Sequence, residues 1–161
     1  MKLNYNQIST IKHILGTTGE METNADGKEV PSPRRLNGEE SSQRRHFNKN
    51  VEGIVKDIND KIKGLSDAHS EIVKEVREKI TKKTKKTDTA DTEVIKDDKV
   101  QESFTKTNSE IQEIIDEQHE IELTEKTVAL IKKIFKLFGD NPGWAAGDDQ
   151  IVEEITEVLN A

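Results

Sequence analysis

The sequence predicts a mainly α protein. The expected fold is a long antiparallel helical hairpin, coiled-coil-like, with short N- and C-terminal helices packed at its base and minor β structure at the loops. Three observations carry this. The stretch HFNKNVEGIVKDINDKI, residues 46–62, places Phe47, Val51, Ile54, Ile58 and Ile62 at spacings of 4, 3, 4 and 4, which is one apolar stripe on a helix. The stripe continues through Leu65, His69, Ile72, Val76 and Ile80, and no proline interrupts residues 34–141. Only 31% of the 161 residues are hydrophobic while 35% are charged. That is a thin supply for a wide core, but enough for long two-sided helices.

The elements follow in order. Ile8, Ile11 and Leu15 share a face of a short helix over 4–15, which Gly16 and Gly19 stop. Residues 20–33 hold Asp26-Gly27, a hairpin turn signal, and end on Pro31 and Pro33. This predicts a small hairpin or an ordered loop. Asn37 or Ser41 can cap the long helix, and Glu39 and Glu40 suit its first turn. The long helix is expected over about 41–80, where Gly53 and Gly64 weaken it without breaking the pattern. Thr, Lys and Asp then dominate, so 81–98 reads as a polar hairpin loop.

A second helix carries Val100, Phe104, Ile111 and Ile115 and runs to about 118. HEIEL alternates polar and apolar residues, a short strand or extended link that ends at 123. Thr124 caps a helix whose Val128, Ile131, Phe135 and Phe138 share a face. A last helix carries Ile151, Ile155 and Leu159, which makes 124–161 a C-terminal helical pair. All of this reads as a single helical domain over 1–161, with 1–40 as its N-terminal helix and loop.

Two helices joined by a loop centred near residue 90 pair antiparallel, with opposed positions summing to about 180. Ile80 then meets Val100, Ile72 lies near Ile111 or its neighbours, and Ile62 meets residue 118. The upstream half of the long helix is left for the terminal helices to cover.

Chemistry is hard to find in this chain. It has no cysteine, which excludes disulfides, thiolate nucleophiles and Cys-based zinc sites. The same pairing separates His69 from His119 by about 12 Å along the axis, so they do not share a metal. His69 on the stripe reads as a satisfied interfacial residue, and His13 and His46 have no evident partner. Carboxylates are abundant but alternate along solvent faces, outside the desolvated cleft that acid–base work needs. The segment NPGWAAGDD does not have the spacing of an EF-hand loop. No phosphate-binding glycine loop, HExxH or GxSxG occurs. The sequence therefore predicts a non-enzyme, with no catalytic residue, no cofactor and no metal. No apolar run approaches the length of a membrane span, so the expected place is the cytoplasm, with no membrane partner.

The candidate residues are for partner binding. Lys82, Lys83, Lys85 and Lys86 form a cationic cluster without the interleaved aromatics of a single-strand binder, which reads as a solvated loop tip. Glu110, Glu113, Glu117 and Glu120 recur at 3, 4 and 3, an acidic row if the helix persists. Trp144, in a Gly-flanked turn, is a local hydrophobic plug or a partner anchor. Net charge is −7. It divides into +2 over residues 1–97 and −9 over 98–161, which suggests that the basic and acidic halves face each other. The acidic balance disfavours direct nucleic-acid binding.

The opening MKLNYNQI, the segment RRHFNKNVEGI that begins the long helix, the polar turn, the helix ending in HEIEL and the closing helices together resemble a family of small helical proteins. These belong to tailed phages and prophages of low-GC Gram-positive bacteria. The likeness covers nearly the whole chain and rests on short apolar–polar patterns. It implies a phage origin and a virion-related, tail-associated or assembly role, in the virion or the host cytoplasm. It brings no catalytic residues. Two partner classes follow: a phage structural protein, or a host protein that the chain inhibits. In the second reading the target is a defence or nucleic-acid-processing protein, met by the acidic helix face in imitation of a phosphate backbone. Self-association through the stripes fits the same spacing, since a heptad-like stripe does not say which chain its partner belongs to.

Overall fold

The computed structural model describes residues 1–33, 36–84, 90–139 and 148–161. The fold is mainly α, as expected, with two small antiparallel sheets. The chain divides into two compact units, residues 1–55 with 117–161, and residues 56–116.

The first unit begins with β1 (Lys2–Leu3) and α1 (Tyr5–Ile14). Asn4 caps α1 through a reciprocal pair: the Gln7 N–H donates to Asn4 Oδ1 and the Asn4 N–H donates to Gln7 Oε1, both at 3.0 Å. Two otherwise orphaned donors are thereby satisfied, a contribution of about 1 kcal/mol. The strands β2 (Thr17–Thr23) and β3 (Glu29–Pro33) form the hairpin anticipated around Asp26-Gly27. Asn24 Oδ1 accepts from the N–H groups of Asp26 and Lys28, and Gly27 takes the left-handed conformation (φ 74°) that the turn requires.

The long helix α2 (Gly38–Thr84) starts on a second reciprocal cap. Here the Glu40 N–H donates to Asn37 Oδ1 at 2.8 Å and the Asn37 N–H donates to Glu40 Oε2. Its upstream stripe, Phe47 and Val51, is fully buried among Ile8, Ile11, Ile14 and Leu15 of the N-terminal segment, Ile131 and Ile134 of α5 (Glu125–Gly139), and Ile155 of α6 (Asp148–Asn160). The short strand β4 (His119–Glu120) pairs with β1, Leu3 opposite His119 and Lys2 opposite Glu120. This pairing buries Leu3 and Ile121 in the same core. Thr124 caps α5 by accepting from the Thr127 N–H.

The second unit contains the downstream part of α2, α3 (Ala90–Lys96) and α4 (Asp98–Asp116). Its core is small: Val76, Val94 and Val100, with Val73 and Ile80 packed against them. Two expectations change here. Residues 81–98 are not one polar loop, because α2 continues to Thr84 and α3 follows at 90–96. Burial of Val94 against Val76 and Val100 holds α3 in place, a tertiary effect that outweighs the Thr-rich composition, and the exposed Asp91–Arg77 pair (2.6 Å) adds little. The pairing register also moves. A reversal centred on residue 90 would set His69 against position 111, yet Ser103 stands beside it, about two helical turns nearer the start of α4. Val100 accordingly joins Val76, with Ile80 at the margin of the same cluster. α4 begins where Asp97 Oδ1 accepts from the N–H groups of Lys99 and Val100, a cap that separates it from α3.

Candidate interaction surfaces

The acidic row is broken. Glu110 and Glu113 lie on α4, but the helix stops at Asp116. Glu117 lies beyond that end, and Glu120 sits on β4 opposite Lys2. Strand pairing with the N-terminal segment claims residues 119–120, so the 3, 4, 3 spacing never becomes a helix face. Glu110 is half-buried and stands 3.9 Å from Lys106, while Glu113 is exposed. Lys82 and Lys83 are exposed in the last turn of α2, where a cation complements the helix dipole. Lys85, Lys86 and Trp144 lie outside the described residues.

Three ion pairs between elements run against the charge asymmetry. Lys126 meets Glu39 at 2.8 Å, Lys133 meets Glu40 at 2.7 Å, and Lys99 meets Glu75 at 3.3 Å. In each pair the acid comes from the basic half of the sequence and the lysine from the acidic half. The surplus of carboxylates downstream is therefore not neutralised by these pairs. Hydrogen bonding to Lys126, then its positive charge, lowers the pKa of Glu39 below the ordinary carboxylate value. The same contacts raise Lys126 above its ordinary value. Both groups are fully exposed, so the pair orients the start of α5 on α2 more than it stabilises it.

The histidines occupy separate environments. His69 Nδ1 lies 2.9 Å from Ser103 Oγ, and its ring packs tilted against Phe104 at 5.9 Å between centroids. His46 Nε2 is 3.3 Å from Asn50 Nδ2, which also donates to the Glu122 carbonyl at 2.9 Å. His119 Nε2 and Asn48 Oδ1 are buried with no hydrogen-bond partner among the described residues. Among the described residues, no three His, Asp or Glu side chains are grouped to hold a metal. No helix among them is long and apolar enough to cross a membrane.

The second unit carries the open apolar surface. Phe104 is 51% exposed and Ile95 63% exposed, the large hydrophobic side chains that reach furthest into solvent among the described residues. Beside the α2–α4 seam runs a groove of about 270 Å³, lined from α2 by Leu65, Ala68 and Ile72 and from α4 by Lys99, Glu102, Lys106 and Glu110. Sequence spacing alone could not find it, because the groove depends on the shifted register that places Ser103 at His69. Comparison of the chain with family models, with curated proteins and with solved structures finds no match.

Proposed function

We propose that this chain is a non-enzymatic interaction protein encoded by a phage, acting at the tail or in its assembly. What supports the reading is the likeness of MKLNYNQI, RRHFNKNVEGI and HEIEL, in that order, to small helical phage proteins. The observation that carries it physically is the second unit: a two-helix seam whose stripe stays largely half-buried, with Phe104 and a groove open to solvent. Binding by helix faces uses such surfaces and needs no catalytic constellation. The reading as an inhibitor that imitates a phosphate backbone loses its strongest feature, since Glu117 and Glu120 leave the helix row.

Quantitative mass spectrometry of purified virions, scaled to the major tail protein, tests the proposal. A fixed ratio of this chain per particle is expected for a tail component. For an assembly factor, the expected result is absence from finished particles together with recovery on assembly intermediates from infected cells. Absence from both, with the chain expressed, contradicts the proposal.

A further inference from the structure

The groove of the second unit has an edge that is complementary to itself. Lys99, Ser103, Lys106 and Glu110 recur at 4, 3 and 4, so they lie on one face of α4, and Glu102 flanks that face. Along the helix the charges read plus, minus, plus, minus at Lys99, Glu102, Lys106 and Glu110. Reversal of the direction inverts every sign. An antiparallel copy of α4 therefore sets Lys99 against Glu110 and Glu102 against Lys106. Both pairs are centred within about half a residue of one point, near Phe104 and Thr105. This is the signature of an isologous two-fold contact, in which residue i meets j and j meets i.

We infer that the protein self-associates through this edge, with α4 of a second copy lying antiparallel along α4 and over the groove. The second α4 then runs parallel to α2 and covers Leu65, Ala68 and Ile72. The aliphatic stems of its Lys99 and Lys106 lie along these apolar side chains while their ammonium groups reach the carboxylates of the other copy. The small side chains of Ala68 and Ser103 permit close approach. The present partners do not oppose the exchange. The Lys99–Glu75 pair at 3.3 Å is solvent-exposed, the Lys106–Glu110 pair at 3.9 Å is at the outer limit of an ion pair, and both contribute little within one chain. An interface of one helix edge is at the small end for stable complexes, so the dimer dissociates on dilution. Phe104 is displaced from Lys106 and Glu110 around the helix by more than a quarter turn, so it belongs to the opposite side of the seam.

Sedimentation velocity over a range of protein concentrations tests this. The expected wild-type result is a reversible monomer–dimer equilibrium that weakens with salt. Lys106→Glu or Glu102→Lys alone places like charges opposite each other twice per dimer. Each should weaken self-association by about tenfold or more, with helix content by circular dichroism unchanged. An equimolar mixture of the two variants should dimerise again, as should the chain carrying both changes. Phe104→Ala should leave association unaltered. Four results would each overturn the inference: a wild-type monomer at every concentration, single variants that associate like wild type, a mixture that does not recover, or a dimer lost on Phe104→Ala.

Discussion

The two units show what one stripe does in two settings. In the first, Phe47 and Val51 of α2 are fully buried in one cluster with residues from α1, α5 and α6. In the second, the same helix continues with the same spacing, but α4 is its principal neighbour. Among the described residues there, Val76, Val94 and Val100 form a small buried cluster, Ile58 is buried apart from it, and Leu65, Ile72 and Ile111 stay half-buried. Equal periodicity thus yields a closed core where four helices converge and an open seam where α2 and α4 pair. Stability concentrates in the first arrangement, and apolar surface remains for binding in the second.

Substitutions can break or sharpen this contrast. The largest effect is expected at Phe47→Ala, which empties the centre of the first core and should cost about 3–5 kcal/mol in denaturant unfolding. A loss below about 1 kcal/mol would mean that this core is not closed. Val76→Ala in the second unit should cost less, about 1–2 kcal/mol, because fewer neighbours surround the cavity. Removal of a cap comes next. Asn37→Ala should cost about 1 kcal/mol and Asn37→Gly only a few tenths, read from the thermal midpoints of the two variants. Phe104→Ala should lie within about 0.5 kcal/mol of wild type, as for an exposed side chain.

The smallest effect concerns pH. The folded-state pKa of Glu39 is lowered, so its contribution is present above the ordinary carboxylate value and is lost as pH falls through the folded value. Lys126 is raised, so its contribution is present below the ordinary lysine value and is lost as pH rises through the folded value. Glu39→Gln should remove both small dependences, which comparison of wild-type and variant stability in acid and in alkali would reveal.

Much of the fold was legible because local chemistry settles it. Asn37 at the start of α2 and Asp26-Gly27 in the hairpin turn act within a few residues of themselves. The stripes of α2 and α4 announce helices by spacing alone. What was not legible depends on distant residues. α3 sits in a Thr- and Asp-rich segment and is held by packing of Val94 against Val76 and Val100. α4 ends at Asp116 without a glycine or proline, since residues 119–120 pair with Lys2–Leu3. That one long-range pairing removed the acidic row from the candidate surfaces. The groove at Leu65, Ala68 and Ile72 was hidden in the same way, because a shift of about two turns decides which side chains face each other.

Hydrogen exchange read by mass spectrometry at low and high protein concentration tests the contrast between the units most directly. The account predicts strong protection of α1 and α5 at both concentrations. It predicts weak protection of α4 in dilute solution, rising as the protein is concentrated. Protection of α4 equal to that of α1 in dilute solution would contradict it.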